Sequence, residues 1–578
     1  MRLIINILCL IFPILALALP LRAQTHITFS HDGGHYKQPI TLSIQPENTG
    51  NQYITIRYTI NGNTPDSLST RYVKPLLLDE HCITSSAIYK IQNAPDEHWY
   101  KPDNVEHIIV VRAAAFDKTG HRISDVVTQS YIIESLLGRR IRMPIVSVCV
   151  DSADLFDNQN GIFIPGADFC PDQPKTTGNY YRSGRAAERV AHFEYIDGDE
   201  VCAQDCRLRT HGHIGRRYAQ KGLSLYARNE YGKKNFRDIV SSEEDERLVL
   251  RPFVNAWTSA GIQDYFCQQI ASGMNFDALH CRPVVRFLNG EYWGIYYLEQ
   301  KPDEKFVGKR HGYDPDSVRL VRDWAGHTGD GIDSGFVAMM QWLKTADLTE
   351  PQQYAKISEL VDLESFTDYV LFETFIGNRD WPANNMRCWS AEGSPWRFIF
   401  FDGDAVRTAK FNAVKNALRN DPEQTYPASP ESTLLLRKLL ENKDFKAKFL
   451  ARMKELQKEK FRWSAFSNID AETASVFGIC VNDVESETAA QSARFGNPKS
   501  VKAWKRDVRR LRRYFRRRAR RFEQEWLDTL NGERLLHTAT LWIAILAAVL
   551  ASAIVIGAIW LRHRKTARHK QSPLNPKP

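Results

Sequence analysis

The sequence predicts an α+β chain, and three observations carry that class. Short alternating strands with turn signals fill the stretch up to about Glu134, further strand pairs follow as far as Glu299, and helical apolar spacing takes over from about Asp333. At 578 residues the chain has room for two or three domains at about 150 residues each. With 43% hydrophobic and 25% charged residues, the composition is that of a folded protein and excludes a disordered one.

Residues 24–135 read as an all-β sandwich. Ile54, Ile56, Tyr58 and Ile60 alternate with Thr55, Arg57 and Thr59, the period of a half-buried strand, and Asn61-Gly62 supplies a tight turn. A later strand, Ile108–Phe116, ends at the turn Asp117-Lys118-Thr119-Gly120. Met143-Pro144 opens the next domain, expected over 140–528, with the apolar strand Ile145–Val150 first. Arg207–Arg228 holds two strand-like runs around Gly212–Gly215, and Pro283–Glu299 reads as a hairpin about Asn289-Gly290. Phe336, Met339, Met340, Trp342 and Leu343 fall at helical spacing, as do Phe366, Tyr369, Val370, Phe372 and Phe375, up to Gly377.

The net charge of +9 is concentrated in one place. Lys502–Arg521 carries twelve Lys/Arg against Asp507, a balance of +11, and subtracting that from +9 leaves −2 for everything else. A general nucleic-acid binder would spread its charge over a whole face, so no nucleic-acid partner is expected. Within this helix Trp504, Val508, Leu511, Phe515, Ala519, Phe522 and Trp526 recur every three or four residues as an apolar stripe with arginines on the other face. It reads as a packing helix with a solvated basic face, or one drawn to anionic lipid or polymer.

Both ends are apolar. Residues 1–23 have the form of a signal peptide, with Leu21-Arg22-Ala23 as the cleavage site. Ala539–Leu561 is 23 residues without a charge, about 34 Å as a helix and enough to span a membrane. Basic residues follow in the tail, 562–578. Together these predict a C-terminal transmembrane helix, a catalytic body outside the cytoplasm in the cell envelope or periplasm, and a cytoplasmic tail. Ten cysteines lead to an expectation of one or two disulfides, with Cys202/Cys206 and Cys149/Cys170 as candidates.

The chemistry concentrates in Phe375–Trp389, which ends a helix and enters a loop at Pro382. Asp380 and Asn385 lie five apart, the spacing of a carboxylate that orients an attacking hydroxyl and an amide that holds Mg²⁺. The buried-strand run Trp396–Phe401 then leads into Asp402-Gly403-Asp404, two carboxylates suited to a hard cation. Alone, such a triplet is more often a turn; after the Asp-x4-Asn loop it points to a site. Lys221, following the glycines at 212 and 215, is the candidate phosphate-binding cation.

These residues resemble the CotH-like (spore-coat protein H) atypical kinase family. The resemblance rests on three blocks in the family's order: Arg207–Phe236, Asn289–Glu299, and Asn378–Trp389 with Trp396–Asp404. It implies a two-lobed, protein-kinase-like domain and ATP-dependent phosphoryl transfer to hydroxyls of secreted or envelope proteins, with Mg²⁺ or Mn²⁺. By that resemblance Asp380 is catalytic, Asn385, Asp402 and Asp404 are metal ligands, Lys221, Arg216 and Glu299 contact the nucleotide, and Asp264 matches an acid of unassigned role. Gly215-Arg216, Lys221-Gly222 and Ala405-Val406 depart from the family pattern. The alternative is a pseudokinase or scaffold that binds partners, glycan or a cell-surface polymer without catalysis. The segment Tyr58–Pro65, Tyr72 and Val111–Phe116 resembles the chitobiase C-terminal-type immunoglobulin-like module, which implies an accessory domain.

Overall fold

The computed structural model describes residues 25–47, 53–83, 87–231, 233–237, 239–241, 244–253, 256, 260–406, 411–466 and 475–532. Nine strands form the N-terminal part: β1 (His26–Phe29), β2 (Gly34–Tyr36), β3 (Ile40–Leu42), β4 (Ile44–Glu47), β5 (Thr55–Thr59), β6 (Thr70–Arg71), β7 (Leu76–Leu78), β8 (Ile109–Phe116) and β9 (Val127–Ile133). A five-stranded sheet, β2-β9-β8-β5-β6, packs against the small pairs β1-β4 and β3-β7. Ile56, Val111, Ala113 and Tyr131 meet Leu42, Ile44 and Leu78 in the shared core. The sandwich is docked through buried polar contacts. Glu291 accepts from the amides of Ile88 and Tyr89, both at 2.8 Å. Arg139 bridges Glu106 and Glu487 at 2.7–2.9 Å.

Seven strands then close a barrel in the order β10-β11-β12-β13-β14-β17-β16. They are β10 (Ile145–Cys149), β11 (Arg189–Asp197), β12 (Glu200–His211), β13 (Gly222–Tyr226), β14 (Arg247–Pro252), β16 (Cys281–Leu288) and β17 (Glu291–Gln300). Pairing is antiparallel except between β10 and β16. Asn289 and Gly290 turn the β16–β17 hairpin with φ of 50° and 87°, the positive values that a two-residue turn of this kind requires. Leu208, Leu223, Leu225, Leu248, Leu250, Trp293 and Leu298 fill the interior. Alternation then sends Arg209, His211, Ser224, Arg251 and Glu299 to the outer face.

The helical lobe holds the small sheet β15 (Asp277–Ala278), β20 (Arg397–Phe400), β19 (Cys388–Ala391), β18 (Val318–Val321), in that order. Around it lie helices that include Gln263–Ala271, Ser334–Leu343, Leu363–Ile376 and residues 501–532. The stripe read from the sequence is the buried face of that last helix. Trp504, Leu511, Phe515, Phe522 and Trp526 are all under 2% exposed, whereas the arginines on its other face are exposed. Phe375 stacks on Phe461 with ring centres 4.2 Å apart and meets the edge of Phe522. Burial of side chains this large is worth about 1.5–3 kcal/mol each.

Two expectations are corrected. No helix among the described residues is long and apolar enough to cross a membrane. Residues 539–561, 562–578 and the leader-like residues 1–23 lie outside the described residues. The C-terminal transmembrane helix and the membrane-anchored placement thus have no support among the described residues. Nor is there a disulfide among the described residues, where all nine cysteines are free thiols. Cys202 and Cys206 lie on one strand, β12. Four residues of strand separate Cα atoms by about 13 Å, far beyond the roughly 4.4–6.8 Å that a disulfide spans.

Candidate active site

A cleft of about 690 Å³ separates the outer face of β12, β13, β14 and β17 from the loop before β19 and the end of β20. Arg216, Glu299, Asn385, Asp402 and Asp404 all line it. Arg216 and Asp404, 188 positions apart in the chain, are brought together here by one barrel face and one loop cluster.

The loop begins where the Leu363–Ile376 helix stops. Gly377 adopts φ 68°, and its amide donates to the Glu373 carbonyl at 3.0 Å, an αL helix end. The last carbonyls are capped from residues 501–532. Arg518 donates to Phe375 at 3.0 Å and to Thr374 at 2.7 Å, and the Tyr514 hydroxyl donates to Ile376 at 3.0 Å. This puts a cation at the negative end of the helix dipole. Arg518→Ala orphans buried carbonyls at about 1–3 kcal/mol each. A fall in melting temperature together with a fall in turnover, both partly rescued by Arg518→Lys, is the expected outcome.

Beyond the cap, the Asn378 side-chain oxygen accepts from the Asp380 amide at 3.2 Å, and the Asp380 carbonyl accepts from Asn384 at 2.8 Å. The tight loop this makes leaves the Asp380 carboxylate half-buried, where it accepts from the Tyr426 hydroxyl at 2.5 Å. Burial and the adjacent carboxylate push the Tyr426 phenol up to about 12, so the phenol is the donor. Asn385 sits at φ 55°, and its amide nitrogen donates to the Asp402 carbonyl at 3.3 Å, which leaves its amide oxygen as a ligand atom. Asp402 itself has φ 63°. Left-handed backbone at two non-glycine residues of one cleft is strain that concentrates at functional sites.

The glycine between Asp402 and Asp404 is there for space. A Cβ at Gly403 would meet the Phe400 ring at 2.9 Å and the Asp264 carboxylate at 3.1 Å. Asp264 Oδ1 accepts from the Gly403 amide at 2.6 Å and so fixes the direction of both flanking carboxylates. Arg251 of β14 forms ion pairs with Asp264 and Asp402 and lies 3.5 Å from Asp404. Burial works against the charge on Arg251, but Asp402, Asp264, Glu299 and Asp404 overcome it and hold the guanidinium well above its ordinary range. Burial, and then the nearby Asp402, raise Asp404 well above the usual carboxylate range. Burial lifts Glu299 to about 8, and its Oε2 has no hydrogen-bond partner.

Four acids thus surround one guanidinium, and with Asp404 and Glu299 pushed toward their protonated forms a further cation would favour their charged forms. The donors are hard oxygens, as Mg²⁺ or Mn²⁺ requires. Among the described residues no three His, Cys, Asp or Glu side chains form a metal cage. Asn385, Asp402 and Asp404 would be the protein ligands of such an ion.

Lys221 is placed elsewhere. It lies one residue before β13, outside the strand, and is not among the residues that line the cleft. Its ammonium donates to the carbonyls of Asn93 at 2.6 Å and Tyr218 at 2.7 Å, 4.7 Å from the centre of the Tyr180 ring. Burial pulls it well below its ordinary range. Arg251 is the cation that does face the acids, and strand parity in Arg247–Pro252 (Leu248 and Leu250 in, Val249 and Arg251 out) is the sequence signal for it. Lys221→Met is expected to lower the melting temperature, since two buried carbonyls lose their donor at about 1–3 kcal/mol each, while ATP affinity stays unchanged. Thermal denaturation and calorimetric titration check the two halves of that outcome.

Residues 208–522 match the family model described as CotH kinase protein. Residues 40–131 match the model described as Fn3 associated. No curated protein matches the chain.

Proposed function

From the chain's membership of the CotH kinase protein family, we propose that it transfers the γ-phosphoryl group of ATP, bound with Mg²⁺ or Mn²⁺, to hydroxyl groups of a protein substrate. The observation that carries this reading is the convergence of Asn385, Asp402 and Asp404 on one cleft with Arg251, next to the loop that presents Asp380.

In this reading the triphosphate lies in the cleft against Arg251 and the other cations of the barrel face, among them Arg216 and Lys301. The divalent ion, when bound, neutralises charge on the phosphate oxygens. Asp264 and Gly403 hold the Asp402 and Asp404 carboxylates in place for it. Glu299, buried in the wall of the same cleft, contacts the nucleotide. Asp380 accepts the hydrogen bond of the incoming hydroxyl, aims its lone pair at phosphorus and takes up its proton as the bond forms. ADP leaves with the electrons of the broken bond. Positioning and preorganised charge supply most of the rate in such a transfer.

A second reading, a nucleotide-binding scaffold without turnover, draws support from the placement of Lys221 away from the cleft. Calorimetric titration of ATP in Mg²⁺ and then in EDTA tests what both share: binding is expected to weaken at least about tenfold without metal, a difference of about 1.4 kcal/mol. Affinity that is indifferent to EDTA contradicts the metal–nucleotide site.

A further inference from the structure

We propose that Tyr426 is an acceptor hydroxyl of the chain itself, phosphorylated in cis at the active site. This rests on the kinase reading above and names a substrate for it. The Tyr426 hydroxyl donates to Asp380 Oδ1 at 2.5 Å, the contact that an incoming hydroxyl must make with an orienting carboxylate. Asp380 has thus been given a hydroxyl by its own chain.

The placement is built rather than incidental. The segment carrying Tyr426 is laced to the Asp380 loop through Pro427. The amide of Ala383 donates to the Pro427 carbonyl at 3.1 Å. The Asn416 side chain donates to Trp381 at 3.1 Å and to Pro427 at 3.4 Å. Gln424 donates to the Tyr426 carbonyl at 2.7 Å. Trp324 holds the other side of the loop, donating to Pro382 at 2.7 Å. Three of these contacts join the Tyr426 segment to the Asp380 loop, and the other two brace the segment and the loop themselves. Meanwhile Tyr426 is 41% exposed, so its ring is not core packing that happens to end near an acid.

The step balances. The phenol oxygen forms a bond to the γ-phosphorus of ATP, the bond between that phosphorus and the bridging oxygen breaks, and ADP departs with its electron pair. The phenol proton passes to Asp380. A phosphate on Tyr426 then faces the like charge of Asp380 at hydrogen-bond range, so the modified ring must leave the loop and free Asp380 for hydroxyls of other proteins. A tyrosine at this spot is thus both first substrate and gate.

The test incubates the full chain with ATP and Mg²⁺ or Mn²⁺, maps phosphopeptides by mass spectrometry, and runs casein alongside as an added acceptor. Phosphate on Tyr426, accumulating at a rate per molecule independent of protein concentration and lost in Asp380→Asn by about 100-fold or more, is the expected result. Tyr426→Phe should remove that phosphopeptide and no other. Casein labelled through Asp380 with Tyr426 unmodified overturns the inference and leaves the kinase reading standing. No transfer to either acceptor overturns both. Modification of Tyr426 that rises in proportion to protein concentration is transfer between molecules and overturns the cis assignment.

Discussion

Asp402→Asn is expected to weaken metal-dependent ATP binding by about 10–100-fold or more and, with it, phosphoryl transfer. Asp402 is a proposed metal ligand, a partner of Arg251, and the residue whose carbonyl receives the Asn385 side chain. Asparagine keeps the shape and the left-handed backbone, which it tolerates as well as aspartate does. It removes the charge. The cleft then holds one hard anionic ligand fewer and leaves Arg251 partly unbalanced. Losing one anionic ligand at a two-carboxylate Mg²⁺ site is expected to weaken metal binding by about 10–100-fold or more, the range seen when ligand-supporting groups are removed. Titration of Mn²⁺ by electron paramagnetic resonance, with and without ATP, measures it. A variant that binds Mn²⁺ and ATP as the parent does would remove Asp402 from the site.

Asp380→Asn is expected to do the opposite: bind ATP and metal normally and lose turnover by about 10²–10⁴-fold. Asp380 does not line the cleft with Asn385, Asp402 and Asp404; its carboxylate is directed to the Tyr426 hydroxyl. In the proposed transfer a group in that place would act on the acceptor rather than the nucleotide. Single-turnover kinetics with unchanged ATP affinity and a reduced transfer rate is the expected signature. If affinity and rate fall together, Asp380 belongs to the nucleotide site instead.

Much of this was legible where a local physical rule leaves few options. Asn289-Gly290 between apolar runs had to be a hairpin, Gly377 after a periodic apolar run had to be a helix end, and the stripe from Trp504 to Trp526 had to be a buried face. Asp-x4-Asn followed by a buried strand and Asp-Gly-Asp named the loop pair that the β19–β20 hairpin brings together. Lys221 was read as a cleft residue from its neighbouring glycines, but it sits just before β13, where its ammonium turns to the carbonyls of Asn93 and Tyr218. In β17 the alternation is reset at Gly294, where φ is 93° and Trp293 and Tyr296 both face inward. Arg251 was hidden because its acid partners are 13 and 151 residues away. Tyr426 lies in a loop without periodicity, 46 residues from the carboxylate it meets. The apolar run at 539–561 was read from length and hydropathy alone, and nothing in the described structure supports that reading.

The most direct measurement pairs two incubations of the full chain with Mg²⁺ and casein, one with ATP labelled at the γ-phosphorus and one with ATP labelled at the α-phosphorus. Label entering protein from the γ-position alone, and falling in Asp402→Asn, is the result expected of a cleft that holds a metal–triphosphate beside an acceptor-directed carboxylate. Label entering from the α-position, which marks transfer of the nucleotide itself, or no label from either, would contradict it.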